Sequence, residues 1–311
     1  MCPNTFKVTV EDGTNIEVKL DKANKTRIGI VHIFHGMAEH MGRYDTFVES
    51  LNQQGYDVIR HNHRGHGKDI DESTRGHYDS IENVAADAYE IAQTLYPERD
   101  ELPYIVLGHS MGSIIARKYV EMYPDMSQGL ILTGTGLFPK LKGKILTLLM
   151  KIITIVFGKR RRLRWVNRLA FRPFNRGIQN VQTENDWLST QREEVDRYCS
   201  DQYCGFLVSN QIIYETLNEM MKTSTPKEIK KMNADLPVLL ISGKDDAFGD
   251  YGKGIRRLGV AMKKNGVKHI TVQLYRNKRH EILFEEDYHQ TWNNMYDWIK
   301  KNILNKYKQG D

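Results

Sequence analysis

Residues 104–112 read YIVLGHSMG, and this stretch predicts a strand, a sharp turn and the start of a helix. Four apolar residues predict a short buried strand, Gly108–Gly112 fits the pattern G-x-S-x-G, and a helical pattern follows to about Tyr123. A serine at such a sharp strand-to-helix turn has a strained backbone, and small neighbours let the chain fold that tightly. The turn exposes the hydroxyl beside the N–H groups of the helix N-terminus. The pattern therefore predicts that Ser110 is a nucleophile.

Outside this stretch, strand and helix patterns alternate along the chain. Apolar runs and period-two alternation predict eight strands, at 6–10, 15–21, 28–34, 56–61, 104–107, 129–133, 237–242 and 269–275. Apolar residues at three- and four-residue spacing predict helices, at 81–95, 111–123, 251–264 and 287–305. Such alternation predicts an α/β protein with a mostly parallel sheet covered by helices on both faces. Ligand sites in these sheets lie at the carboxyl ends of the strands.

The alternation stops after the sixth predicted strand. Residues 137–234 show helical patterns without a buried strand, so we predict a helical insertion between two parts of one core, 1–136 and 235–311. The insertion is basic over 140–176: twelve Lys and Arg residues lie between Met126 and Thr183, with no Asp or Glu. The chain has a net charge of +6, yet outside this segment 33 basic residues face 39 acidic ones. This concentration of positive charge indicates that the segment has an anionic partner or another specific function.

A serine nucleophile needs a histidine base and a carboxylate that orients it. With this kind of nucleophile turn, the acid and then the histidine follow the serine along the chain. We expect His280 to be the base because it follows the last predicted strand, whereas His289 falls within the C-terminal helix. We expect Asp246, after the strand at 237–242, to be the acid, and Asp245 is the alternative one position away.

Backbone N–H groups must stabilise the oxyanion that forms during acyl transfer. We expect them to come from Met111, directly after the nucleophile, and from Met37, after the strand at 28–34. His109 is adjacent to Ser110 in sequence, and because neighbouring side chains on such a turn point apart, it is not expected to be the base. The candidates for substrate contact or for the cap over the site are His35, Gly36, His109, Phe138, Ile145 and Leu149.

One other chemistry is open to this sequence. His61, His63 and His66 have a spacing that is compatible with a metal-dependent hydrolase, although no clustered carboxylate accompanies them. We favour a turn in which these histidines hydrogen-bond to neighbouring loops, and we predict neither a metal nor a cofactor. The three cysteines, Cys2, Cys199 and Cys204, are predicted to be free thiols of a cytoplasmic protein.

Four motifs resemble those of one known family. They are His35-Gly36-Met37-Ala38-Glu39-His40, His63-Arg64-Gly65-His66-Gly67, Gly108-His109-Ser110-Met111-Gly112 and Arg279-His280-Glu281. They are similar to the monoacylglycerol lipase and bacterial lysophospholipase branch of the α/β-hydrolases. The resemblance implies an α/β-hydrolase fold, with a mostly parallel eight-stranded sheet, in which the helices inserted after the sixth strand cap the active site. It also implies an acyl ester substrate and no metal or organic cofactor.

We therefore expect a serine hydrolase that cleaves a monoacylglycerol or lysophospholipid through an acyl-enzyme on Ser110. A general short- to medium-chain carboxylesterase is the alternative, and a non-catalytic lipid-binding protein is an alternative of another class. The run 145–157 is too short to span a bilayer. As a helix it has a wide apolar face and a polar stripe at Thr147, Lys151 and Thr154, which suits burial, an acyl-chain tunnel or contact with a membrane surface. The adjacent basic run 159–162 favours an anionic membrane at the cytoplasmic face, and we expect no nucleic acid partner.

Overall fold

A computed structural model describes residues 5–97 and 102–307, so Cys2 lies outside the described residues. The described chain contains a single sheet of eight strands, as the sequence predicts. Their bounds are Thr5–Thr9 (β1), Asn15–Asp21 (β2), Gly29–Phe34 (β3), Tyr56–His61 (β4), Tyr104–His109 (β5), Gly129–Thr133 (β6), Val238–Gly243 (β7) and Ile270–Tyr275 (β8).

The strands are ordered β1-β2-β4-β3-β5-β6-β7-β8 across the sheet. β1 and β2 form an antiparallel hairpin, β2 pairs antiparallel with β4, and all later pairs are parallel. In the central pairs, Phe34 lies opposite Gly108 and His109 lies opposite Thr133. The carboxyl ends of β3, β5 and β6 therefore meet at one edge of the sheet, where the predicted site residues follow.

Helices cover both faces of this sheet. Six α-helices of the described chain lie before β6 or after β7: Asp45–Gln54 (α1), Ile81–Leu95 (α2), Met111–Met122 (α3), Lys253–Lys264 (α9), Tyr288–Ile299 (α10) and Asn305–Tyr307 (α11). Five more of its α-helices lie between β6 and β7: Lys140–Phe157 (α4), Arg164–Phe171 (α5), Arg192–Ser200 (α6), Asn210–Lys222 (α7) and Pro226–Ile229 (α8). A π-helical turn, Lys300–Leu304, joins α10 to α11 within the predicted C-terminal helix. Two apolar clusters, one on each face, bury the central strands completely.

The packing of α3 against β3 explains why glycine occupies position 112. A Cβ on Gly112 would collide with the carbonyl oxygens of Phe34 and His35, and a Cβ on Gly108 would collide with the backbone of Gly112 and Ser113. These neighbours are backbone atoms that cannot swing away, so both positions require glycine. The close approach places the start of α3 directly beside the end of β3.

The orientation of α4 differs from the expectation for a simple buried helix. The apolar residues on its outer side are exposed: Leu141, Ile145, Leu148, Ile152, Ile155, Val156 and Phe157. By contrast, Thr154, which belongs to the predicted polar stripe, is buried and its hydroxyl donates to Met150 O over 2.7 Å. α4 packs on α7 through its inner side, and Met150 and Ile153 join the main apolar cluster. Burial therefore accounts for only part of the apolar surface of this helix.

No helix within the described residues combines the length and the apolar character needed to cross a bilayer.

Candidate active site

Ser110 stands at a sharp turn between β5 and α3. Its backbone has φ 53° and ψ −119°, a conformation that is strained for a residue with a side chain. Hydrogen bonds hold this conformation, because Ser110 N donates to Thr133 O over 3.0 Å and Ser113 N donates to Ser110 O over 2.9 Å. The turn directs Ser110 into the cavity above the sheet.

His280 and Asp246 lie in contact beside this turn. His280 Nδ1 is 3.1 Å from both carboxylate oxygens of Asp246, and both side chains are fully buried. Burial alone would raise the pKa of Asp246, but the adjacent His280 and hydrogen bonds from Gly249 N and Ser242 Oγ together outweigh it, and the pKa lies below its ordinary value. His280 lines the cavity, and its second ring nitrogen, Nε2, is buried without a hydrogen-bond partner among the described residues. Asp245 is exposed and does not contact His280.

Further contacts hold the Asp246 carboxylate in place. Ser242 Oγ donates to Asp246 Oδ2 over 3.2 Å, and Phe248 N donates to Asp246 Oδ1 over 2.9 Å. Gly134 passes so close to the rings that a Cβ there would lie 2.9 Å from His109 Cε1 and from His280 Cε1. The His109 ring is tilted against His280, and its Nδ1 lies 3.0 Å from Thr133 Oγ1. The contact with Thr133 thus holds the His109 ring beside His280.

The two predicted oxyanion residues lie on either side of Ser110. Met111 begins α3, so its N–H has no intrahelical acceptor. Met37 follows β3 and lines the same cavity as Ser110 and Met111. Gly36 permits this approach, because its α-carbon is so near Ser110 that a Cβ would lie 3.2 Å from the serine Cβ.

The cavity above Ser110 has a volume of about 720 Å³ and is mainly apolar. Four predicted substrate-contact residues line it: Gly36, His109, Phe138 and Leu149. The other two candidates, Ile145 and His35, do not line it. Ile145 lies outside the lining because it points away from α7 to the exterior, where 57% of it is exposed, and its neighbour Leu146 lines the cavity instead. His35 is fully buried below the cavity because its ring bonds to the backbone of His63 and Gly36.

Aromatic residues that the sequence patterns do not single out cover His280. Trp187 and Phe248 have ring centroids 4.6 and 5.4 Å from that of His280, and Phe174 packs on both of them. These rings reduce water access to the His280–Asp246 pair, which strengthens their electrostatic interaction. Trp187 and Phe174 come from the segment between β6 and β7, far from His280 in sequence, and no local pattern connects them to it.

Arg43 links the loops that carry Met37 and His280, and we did not predict it. Its guanidinium lies 2.7 Å from Glu39 Oε2 and 2.6 and 2.9 Å from the two carboxylate oxygens of Glu281. Glu39 in turn accepts a hydrogen bond from Gly36 N, and Glu281 directly follows His280. All three side chains are at least 90% buried. The four-residue spacing of Glu39 and Arg43 is a local signal for the first pair, whereas Glu281 lies 238 residues away.

A series of hydrogen bonds joins four buried side chains and ends at the backbone of His35, directly after β3. Tyr104 Oη lies 2.6 Å from His32 Nδ1, His32 Nε2 lies 2.8 Å from His61 Nδ1, and His61 Nε2 lies 3.0 Å from His63 Nδ1. His63 Nε2 then lies 3.1 Å from His35 O. The carbonyl oxygen of His35 can only accept, so His63 Nε2 carries the proton of that hydrogen bond. His63 Nδ1 therefore accepts from His61, and His61 Nδ1 accepts from His32. Each neutral ring thus donates in the direction of His35.

These hydrogen bonds between histidines bear on the alternative of a metal-dependent hydrolase. Both ring nitrogens of His61 and of His63 are used in hydrogen bonds, and those of His66 contact Ala38 N and Arg64 O. The three rings therefore do not direct lone pairs to one point, as a metal ion would require. The arrangement agrees with the favoured interpretation of this motif as a hydrogen-bonded turn.

Two other groups within the described chain have donors close enough to surround an ion. One consists of His40, Asp201 and Cys204, and the other of Glu82, Glu215 and Glu219. In the first, His40 Nδ1 accepts from Gly42 N over 3.1 Å, which opposes the Nδ1–H tautomer that a ligating Nε2 needs. In the second, the ammonium groups of Lys118 and Lys222 lie 3.0 Å from Glu219 and already supply positive charge. Cys199 and Cys204 are free thiols.

The strand order and the serine turn at the carboxyl end of β5 together define the α/β-hydrolase class. Residues 25–287 match the family described as serine aminopeptidase, S33, and the chain belongs to that family.

Relatives of this chain include lipases and esterases. The monoglyceride lipase of Rattus norvegicus is 25% identical over 87% of this chain and 81% of its own length. The probable lysophospholipase L2 of Haemophilus influenzae is 23% identical over 82% of this chain and 78% of its own length. Among solved structures, a thermostable carboxyl esterase from Bacillus coagulans in complex with glycerol superposes with a TM-score of 0.86, at 26% identity over 96% of this chain and 98% of the esterase.

The buried histidines make stability depend on pH. Burial lowers the pKa of His32 from 6.5 to about 3 and that of His61 well below 6.5. The unfolded chain therefore binds protons below pH 6.5 that the folded chain does not, and stability is lost as the pH falls below that value. The slope from each such histidine increases as the pH falls below 6.5 and approaches about 1.4 kcal/mol per pH unit. We expect the His32→Leu/His61→Leu variant to show a shallower loss between pH 6.5 and 5.5 in urea unfolding.

The control for this experiment is His289→Gln, because His289 is exposed on α10. Its unfolding free energy should follow the wild-type pH profile. An equal slope in the double variant and the wild type would contradict the prediction, whatever the stability of the variant at pH 7.

Substitutions of Arg43 should separate charge from geometry. Arg43→Met leaves two buried carboxylates without their cation and should lower the unfolding free energy by about 3–5 kcal/mol. Arg43→Lys keeps the charge but loses the two-pronged contact with Glu281. We expect its kcat for p-nitrophenyl butyrate to fall about 10-fold or more with little change in KM, because the loops of Met37 and His280 lose their fixed spacing.

The matched control is Arg162→Lys. Arg162 also pairs with a carboxylate, Glu72, but on an exposed surface. It should change neither kcat nor stability measurably. An Arg43→Lys enzyme with wild-type kcat would show that the link does not set the geometry of the site.

Proposed function

We propose that this protein hydrolyses carboxylic esters of lipids through an acyl-enzyme on Ser110, with a monoacylglycerol or a lysophospholipid as substrate. The observation that carries the proposal is the apolar cavity that opens directly over Ser110 and His280. Leu146, Leu149 and Met150 of α4, together with Ile213 and Leu217 of α7, supply a wall suited to an acyl chain. We infer that residues 137–234 form a cap over the site.

In the proposed mechanism, His280 Nε2 takes the proton of the Ser110 hydroxyl while Ser110 Oγ attacks the ester carbonyl. The N–H groups of Met37 and Met111 stabilise the oxyanion, and Asp246 stabilises the imidazolium. The tetrahedral intermediate collapses, the bond to the alcohol breaks, and His280 returns the proton to the departing oxygen. A water molecule then attacks the acyl-enzyme by the same route, releasing the fatty acid and the free serine.

The carboxylates that line the cavity are already paired with arginines, and this favours an ester substrate over a peptide with a free amino terminus. An aminopeptidase needs a negatively charged group to bind the substrate ammonium. Glu39 and Glu281 line the cavity but pair with Arg43, and Glu184 pairs with Arg168 over 3.1 Å. A general carboxylesterase is the second candidate, because a mainly apolar cavity also accepts short acyl groups.

Labelling with a fluorophosphonate tests the serine mechanism. We expect the wild-type protein to be labelled on Ser110, and Ser110→Ala and His280→Ala to abolish labelling and to lower kcat about 10⁴-fold or more. Asp246→Asn should also lower kcat strongly, whereas Asp245→Asn should not, because Asp245 is exposed. Esters of graded chain length then separate a lipase from a short-chain esterase.

Ser200→Ala serves as the serine control, because Ser200 is exposed at the end of α6. Labelling that survives in Ser110→Ala would overturn the assignment. Activity that is lost with a chelator but resists the fluorophosphonate would favour a metal-dependent hydrolase. Lipid binding without labelling or hydrolysis, in detergent as well as in buffer, would favour a non-catalytic lipid-binding protein.

We further propose that the outer side of α4 docks on an anionic membrane surface. Ile145, Leu148, Ile152 and Ile155 are each at least half exposed, which is unusual for neighbouring aliphatic residues on one helix. Basic residues surround them, because Lys144, Lys151, Lys159, Arg160 and Arg161 are exposed as well. An apolar stripe beside basic side chains suits insertion at the level of lipid headgroups. Docking there would bring the cavity close to a lipid substrate.

Vesicle sedimentation checks this docking. We expect stronger binding to vesicles with phosphatidylglycerol than to pure phosphatidylcholine vesicles, because each basic residue near an anionic surface contributes about 1 kcal/mol. Ile152→Ser/Ile155→Ser should weaken binding to both. The control is Val260→Ser, an exposed aliphatic residue on α9 that is remote from α4 in sequence. Equal binding of the wild type to anionic and neutral vesicles would contradict the electrostatic part of the proposal.

A further inference from the structure

The lining of the cavity contains more basic side chains than acidic ones. Its lining contains five cations, at Lys142, Arg164, Arg168, Arg172 and Arg176. Of the three carboxylates in the lining, Glu39 and Glu281 pair with Arg43 and Glu184 pairs with Arg168. Within residues 5–97 and 102–307, Arg164, Arg172 and Arg176 form no salt bridge. An apolar cavity with unpaired arginines at its mouth suits a ligand with an apolar tail and an anionic end.

Two of these arginines lie on the side of the cavity where His280 stands. Arg172 and Arg176 lie two residues before and two residues after Phe174 in the sequence, and the ring centroid of Phe174 is 4.9 Å from that of Trp187 and 5.7 Å from that of Phe248. Both of those rings pack on His280. Because His280 returns the proton to the departing alcohol in the proposed mechanism, the alcohol portion of the substrate lies on this side.

The backbone that carries the two arginines is held in place. Residues Arg172–Asn175 form a single helical turn, and Tyr251 Oη donates to Arg176 O over 3.0 Å. Asn175 Oδ1 accepts from Trp187 N over 2.8 Å, and its Nδ2 donates to Thr183 O over 2.9 Å. The arginine side chains are exposed at their ends, so they can reach a ligand without first breaking a pair.

We propose that Arg172 and Arg176 bind an anionic group, a phosphate monoester or diester, on the alcohol portion of the substrate. The inference rests on the proposed function and narrows it from neutral monoacylglycerols to lysophospholipids with net negative charge. Guanidinium groups match the oxygens of a phosphate in a two-pronged geometry and remain charged at every physiological pH. The apolar wall formed by α4 and α7 would hold the acyl chain of the same molecule.

The basic surface could instead attract only the membrane in which such a lipid resides. A water-soluble substrate separates the two, because no surface is then present. The test compares 1-hexanoylglycerol with 1-hexanoylglycerol 3-phosphate, both monomeric and without vesicles, and measures kcat/KM for each. We expect the wild type to favour the phosphate ester about 10-fold or more at low salt, a preference that declines as salt screens the contact.

Arg172→Gln/Arg176→Gln should lower the ratio of the two kcat/KM values about 10-fold, and charge reversal to Glu at both positions should lower it further. The control is Arg256→Gln, an exposed arginine on α9 outside the cavity, which should keep the wild-type ratio. The measured quantity is a ratio, so a general loss of active enzyme does not affect it.

The outcomes distinguish the two levels of the proposal. Hydrolysis of neither ester, by a protein that a fluorophosphonate does not label, would overturn the proposed function itself. Hydrolysis of both with no preference for the phosphate ester, or a preference that the double variant retains, would overturn the anionic subsite alone. A preference that appears only on vesicles would likewise overturn it and assign the basic residues to the membrane surface.

Discussion

The site depends on one buried cation. Arg43 lies between Glu39 and Glu281, and these carboxylates belong to the loops that carry Met37 and the ring of His280. A guanidinium has a rigid planar fork, so its contacts fix the separation of its partners in a way that a flexible ammonium would not. All three charged groups are buried, so removing any one of them would leave an unpaired buried charge and lower the stability of the fold. The loops on the two sides of Ser110 are thus held as one unit.

The packing of the sheet supplies the second half of this geometry. Gly112 allows α3 to approach the carbonyl groups at the end of β3, and Gly36 allows the next loop to approach Ser110. The strained backbone of Ser110 persists because hydrogen bonds to Thr133 and Ser113 surround it. Ser110 is therefore placed by backbone contacts on one side and by the Arg43 network on the other.

Much of this arrangement could be predicted from local sequence. β4 and β6 begin and end where their patterns begin and end, because buried parallel strands are short apolar runs bounded by turns. The contact of Asp246 with His280 follows from their positions after β7 and β8. The orientation of α4 could not be predicted, because its hydrophobic pattern indicates a wide apolar face but not which side meets α7. Nor could the contact of Arg43 with Glu281, since a pair 238 residues apart leaves no periodic signal.

The histidines beneath the site have a consequence for proton motion. Each ring from His32 to His63 carries one proton and donates in the same direction, and the carbonyl of His35 at the end accepts only. A tautomeric change in one ring alone would set two N–H groups against each other at one link and two lone pairs at the next. The protons of the chain can therefore relocate only together. Their exchange with deuterated solvent should be a collective event, as slow as the opening of the sheet that encloses them.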